Sequence, residues 1–179
     1  YKSGKGFRAR VRHKGGGRSE FRGKGRGRSG ASRQQDRYRP LGRPEVLKVL
    51  QSQDMLPAIT FIFSRAGCDG ALYQCLRSRM VLTSQEEAQQ IKEIVDAGVE
   101  GIPEEDLQVL DFKRWREALS RGFAAHHAGM LPAFRHIVED LFVRGLVRAV
   151  FATETLALGI NMPARTVVLE KLIKFNGEA

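Results

Sequence analysis

The sequence has 179 residues, a net charge of +10 and 42% hydrophobic residues, enough for one domain with an appendage. No apolar run reaches the ~20 residues of a membrane-spanning helix, and none follows the basic start as a signal peptide requires, so no membrane partner is expected. The chain opens on Tyr rather than Met and reads as a piece of a longer one.

The charge is unevenly placed. Residues 1–43 hold 15 basic residues against Glu20 and Asp36, a balance of +13, while the remainder holds 15 basic and 18 acidic residues, a balance of −3. Such an arm suggests a polyanion partner, either nucleic acid or an anionic membrane. Its ten glycines and scarcity of aliphatic side chains predict disorder, because too little apolar area is available to offset the entropy of ordering. Phe7, Phe21 and Tyr38 stand among the cations, where they can stack on bases. The stretch from Arg22 to Gly30 resembles the Gly/Arg-rich segments of RNA-binding proteins. A solubilising linker is the competing reading, and the density of cations favours nucleic acid.

Order is predicted from Pro44, which suits a first helical turn, through about Asp54. The continuous apolar run Ala58 to Phe63 has the length of a strand covered on both faces. A helix follows from Arg65 to about Arg79 and carries both cysteines, Cys68 and Cys75. Seven residues along a helix separate them by ~10.5 Å, too far for a disulfide. Two unbridged thiols suit a reducing cytoplasm.

Thr83 and Glu86 read as a capping box for a helix to Ala97, which Gly98 and Gly101 break. Pro103 and the acids Glu104 to Asp106 signal another start, continued or restarted from Asp111 to Arg121 with Trp115 in the core. A short strand from Gly122 to Ala125 leads to His126 and His127. Phe134, Ile137, Val138, Leu141 and Phe142 then repeat at helical intervals between Ala133 and Arg144, and Gly145 ends the run. Strands are predicted over residues 146–151 and Thr166 to Leu169. Strands alternating with helices indicate an open α/β fold with a mainly parallel sheet flanked by helices.

Ligands of such sheets bind at the carboxyl ends of the strands, and chemistry collects there. Ser64 and Arg65 follow the first strand, a hydroxyl and a fork-shaped cation suited to phosphate, although Ser64 can equally cap the next helix. His126 and His127 are adjacent on extended backbone and point apart, so they are poorly placed to share a metal, and no Cys, His or Asp set nearby completes a site. An enzyme using either histidine would need an acid or base partner that the sequence does not reveal. Gly129 precedes a helix start whose amides can hold an anion. After the third strand, Thr153 can cap a short helix, Gly159 allows close approach of a ligand and Asn161 offers both donor and acceptor.

Three stretches in one order carry a resemblance. Phe61 to Arg65 (FIFSR) is similar to motif IV, Ala125 to Pro132 (AHHAGMLP) to motif IVa, and Phe151 to Arg165 (FATETLALGINMPAR) to motif V of superfamily 2 helicases. The wording of motif V resembles the superkiller-type DExH-box branch, and within it the bacterial HelY-type members. The resemblance covers residues from about 57 to 179. It implies that residues 44–179 are most of a second RecA-like lobe, joined to the first lobe by the linker 1–43 and truncated before motif VI.

It also implies roles. Ser64, Arg65, His127, Gly129, Thr153 and the nearby acid Glu154 would face a single-stranded RNA or DNA backbone. Gly159 and Asn161 would face ATP across the cleft between lobes. Many relatives have Asp where Asn161 stands; the amide can still meet a ribose hydroxyl but brings no charge. The sequence contains no phosphate-cradling G-x-x-x-x-G-K-[ST] and no D-E-x-H, so ATP and its Mg2+ would depend on the first lobe. These 179 residues alone are not expected to hydrolyse ATP. The rival reading is a Gly/Arg-rich RNA-binding module on an α/β platform with no motor activity.

Overall fold

The computed structural model describes residues 41–153 and 164–170. Residues 1–40 of the arm and most of the motif V stretch, with Glu154, Gly159 and Asn161, lie outside them, while Arg43, read from sequence as the last residue of the arm, begins the first helix.

The described chain runs α1 (Arg43–Ser52), β1 (Ala58–Phe61), α2 (Arg65–Arg77), α3 (Gln85–Gly98), α4 (Glu104–Leu110), α5 (Phe112–Ser120), β2 (Phe123–His126), α6 (Pro132–Val143), β3 (Ala149–Ala152) and β4 (Thr166–Leu169). The four strands form one parallel sheet in the order β2-β3-β1-β4. This is the α/β arrangement anticipated from the alternation of periods. β2 and β3 are buried at every position, as strands covered on both faces should be. On β4 burial alternates, with Val167 and Leu169 exposed.

Three boundaries differ from expectation for local reasons. The run 58–63 stops pairing as a strand at Phe61, and Phe63 is exposed because the chain turns into α2. β3 begins at Ala149 rather than Leu146, since the amides of Leu146 and Val147 still donate to the Leu141 carbonyl at the end of α6. The capping box sits one residue later than Thr83 and Glu86. The Thr83 hydroxyl donates to the Ser120 carbonyl at 2.6 Å and is spent on tertiary structure. Ser84 Oγ instead accepts from the Glu87 amide, and the Glu87 carboxylate accepts from the Ser84 amide, each at 3.1 Å. Between α4 and α5, Asp111 adopts a left-handed conformation (φ 56°), which divides what the pattern left as one helix or two.

The core is one cluster in which Trp115, Phe123, Phe134, Phe142 and Phe151 are almost wholly buried. Trp115 packs on Phe134 with ring centroids 5.2 Å apart. Cys68 and Cys75 lie buried on α2 as free thiols, and burial pushes them up to about 11 and about 12. Among the described residues no helix is long and apolar enough to cross a membrane.

Two contacts fix how α2 and α3 seat. A Cβ on Gly67 would stand 2.7 Å from Ile62 Cγ2 and 3.3 Å from Ser64 Cβ, so α2 can turn back over the end of β1 only without a side chain there. Gly67→Ala should lower stability by about 1–3 kcal/mol, read as a lower urea midpoint at unchanged slope. On α3, Glu87 Oε2 meets Arg148 Nη2 at 2.6 Å. Burial acts to raise the Glu87 carboxyl, but the Ser84 amide and Arg148 outweigh it and hold the group below its ordinary 4.5. A depressed carboxyl contributes stability above its unfolded value and loses it as pH falls through the folded one. Below about pH 4.5, Glu87→Gln should therefore flatten the acid limb of a stability-versus-pH curve.

Candidate nucleic-acid interface

Parallel pairing levels the strand ends. Phe61 stands opposite Ala152 and Leu169, and Ala152 opposite His126, so the four strands finish in one row. The chain leaves this row at Ile62, His127, Thr153 and Glu170. Four of the expected site residues therefore follow within three positions of a shared edge: Ser64 after β1, His127 and Gly129 after β2, and Thr153 after β3.

Ser64 caps α2, its Oγ accepting from the Gly67 amide at 3.1 Å. A hydroxyl that accepts there still has its own proton to donate. Arg65 is exposed, and among the described residues no carboxylate pairs with it. Its stem lies against the turn before α6, for a Cβ on Gly129 would be 3.3 Å from Arg65 Cδ. The amide of Thr153 donates to the His126 carbonyl at 3.4 Å. The structure thus brings Ser64, Arg65, His127, Gly129 and Thr153 to one edge, while Glu154, Gly159 and Asn161 fall outside the described residues.

The histidines point apart, as adjacent residues on extended backbone must. His126 Nε2 is 2.8 Å from Glu139 Oε1 on α6, and His127 Nε2 is 2.9 Å from Asp69 Oδ1 on α2. The Gly129 amide donates to His127 Nδ1 at 3.1 Å, so both ring nitrogens of His127 have internal partners. Neither carboxylate was named from sequence. Asp69 lies one helical turn after Arg65, and Glu139 one turn after the half-buried Arg135, but only the fold reveals which histidine each meets. Among the described residues no group of three or more His, Cys, Asp or Glu side chains could hold a metal ion.

Beside this edge lies a cavity of about 360 Å³, lined by Asp69, Tyr73, Asp106, Trp115, His127 and Gly129 among others. The Arg114 guanidinium sits 4.1 Å over the Tyr73 ring. Glu170, just past β4, binds Arg43 through both oxygens at 2.6 and 2.9 Å, and Arg43 also donates to Gln74 on α2 at 3.0 Å. That clamp ties the β4 end of the row to α1 and α2.

No family model matches the chain. Individual relatives do. Probable helicase HelY of Mycobacterium tuberculosis is 67% identical over 141 residues, which is 79% of this chain and 16% of that protein. Exosome RNA helicase MTR4 of Homo sapiens is 34% identical over 134 residues, 75% of this chain and 13% of that one. Antiviral helicase SKI2 of Saccharomyces cerevisiae is 32% identical over 134 residues, 75% of this chain and 10% of that one. The chain belongs to the superkiller-type DExH-box helicases. It spans about a sixth or less of the length of these relatives. Membership in this helicase family accounts for the order of the three motif-like stretches, which begin or end at the carboxyl tips of β1, β2 and β3.

Gly129 is the tightest point of this edge, since an added Cβ would also meet His127 Nδ1 at 3.0 Å and Cε1 at 3.2 Å. If this edge meets a single strand, Gly129→Ala in the full-length protein should weaken single-strand binding about fivefold, the equivalent of one lost hydrogen bond. Fluorescence anisotropy of a labelled oligonucleotide measures it, and equal affinity would show that the turn tolerates the displacement.

Proposed function

We propose that the intact protein is an ATP-driven helicase translocating on single-stranded RNA or DNA, and that residues 44–179 belong to its second RecA-like lobe. In this reading residues 1–43 form a basic linker from the first lobe, in a reducing, cytoplasmic setting. The observation that carries it is the shared row of strand ends, with Arg65 exposed beside Gly129 and without a carboxylate partner among the described residues. A guanidinium in that state keeps its donors for phosphate oxygens.

The strand's backbone would run along this edge, taking Arg65 as its cation and the Ser64 hydroxyl as a further donor. Thr153 would hold the next phosphate, with Glu154 nearby. His127 and Gly129 would act as the wall of the track, since their polar atoms already face one another. Contacts to phosphate and sugar position a strand without reading its bases, so little base specificity is expected. Gly159 and Asn161 would complete the nucleotide pocket. ATP would supply the driving free energy, its Mg2+ held by the first lobe. The backbone grip would then alternate between lobes as the strand advances.

A second reading is favoured by the charge of residues 1–43 alone, a Gly/Arg-rich binding module on an inert platform. Salt dependence separates the two. Each phosphate neutralised on a single strand contributes a slope of ~0.7 in log K against log salt. Arg65→Ala in the full-length protein should lower that slope by about 0.7 and weaken binding several-fold. A slope unchanged by Arg65→Ala but collapsed by removal of residues 1–40, which leaves Arg43 and its clamp in place, would leave only the binding-module reading.

A further inference from the structure

We propose that Asp69 is a positioning residue for the strand-binding edge, acting through the His127 ring on the turn at Gly129. The inference rests on the reading of that edge as a backbone track, and it adds a residue that lies outside the three motif-like stretches.

His127 is only 6% exposed, so each ring nitrogen needs a protein partner. Toward Nδ1 comes the amide of Gly129, which can only donate. Nδ1 therefore accepts, the ring proton belongs on Nε2, and Nε2 donates to Asp69 Oδ1. The Gly129 amide thereby sets the tautomer, and Asp69, accepting from Nε2, holds the ring's rotation. The ring in turn is the surface on which the turn rests, because Gly129 approaches it too closely to carry a Cβ, and the stem of Arg65 touches the same point. The Asp69 carboxylate, the His127 ring, the turn at Gly129 and the aliphatic stem of Arg65 thus follow one another across α2, the end of β2 and the turn before α6.

The charge of Asp69 argues the other way, which makes the role testable by sign. A carboxylate beside an anionic track repels phosphate, so a merely electrostatic Asp69 would weaken binding and its removal would tighten it. A positioning Asp69 would have the opposite effect. Asp69→Asn and Asp69→Ala both remove the charge, but only asparagine keeps an oxygen that can accept from Nε2.

The experiment measures affinity for single-stranded oligouridylate and oligothymidylate, and KM for ATP, in the full-length helicase. Asp69→Asn should bind within about twofold of the parent protein, and Asp69→Ala about fivefold more weakly than Asp69→Asn. KM for ATP should be the same in both. The Asp69 side chain is half exposed, so the alanine variant should fold; should it not, Asp69→Ser, too short to reach the ring, gives the same contrast. Equal affinity of the asparagine and alanine variants overturns the proposal, and so does tighter binding by alanine. Arg65→Ala run alongside separates the levels: if it too leaves affinity unchanged, the backbone track itself is wrong and not Asp69's part in it alone.

Discussion

Everything at the candidate site depends on the register of β1 against β3. These strands are four residues long and parallel, with Ala58 opposite Ala149 and Phe61 opposite Ala152. A slip of one residue would move each strand end by ~3.3 Å and turn every buried side chain to the other face. Both faces of β3 are packed, so a slip would put Phe151 where alanine-sized space is provided and leave a void in its place, which opposes the slip through packing. The same register then passes to β2 through β3 and to β4 through β1. Level strand ends are what make neighbours of residues as distant in sequence as Ser64, Gly129 and Thr153.

Holding helices on that sheet is the task of the surrounding contacts. α2 is fixed at its start by the Ser64 cap and the Gly67–Ile62 contact, and along its length by the buried Cys68 and Cys75. Near its end Gln74 joins Arg43 and Glu170, so the helix that carries Arg65 and Asp69 is tied to both α1 and the far side of the sheet. A bidentate guanidinium–carboxylate pair of this geometry adds direction as well as energy. The two side chains reaching toward the β2 edge, Arg65 and Asp69, are thus borne on a helix held at both ends.

Most of the fold was legible because its signals are local. The apolar spacing from Phe134 to Phe142 needs no tertiary information, and neither does Pro103 before three acids. The misplaced capping box shows where that limit lies. Thr83 and Ser84 are equally good caps in sequence, and the choice is made by the Ser120 carbonyl, 37 residues away, which takes the threonine hydroxyl. The site was legible at its motif-like stretches and illegible between them. Asp69 and Glu139 look like ordinary solvated helix acids until β2 arrives beside them. Conversely, His127 and Gly129 could be named from their motif, but not that the amide of one is bound by the ring of the other.

The charge distribution gives the proposed edge its physical sense. Residues 44–179 carry a balance of −3, so the body as a whole offers a polyanion no attraction. Its arginines are mostly committed: Arg116 to Asp96, Arg121 to Glu117, Arg144 to Asp140, Arg148 to Glu87 and Arg165 to Asp54. A guanidinium already paired with a carboxylate would have to break that pair to take a phosphate, which cancels much of the gain. Arg65 has no such pair to break among the described residues, and it stands where the strand ends converge. On the proposed reading, long-range attraction falls to the +12 of residues 1–42, since Arg43 is paired with Glu170, while the grip belongs to a few donors whose positions the sheet sets. A motor that must release and regrip its strand is better served by such a local contact than by a uniformly basic face, which would hold the strand through every step.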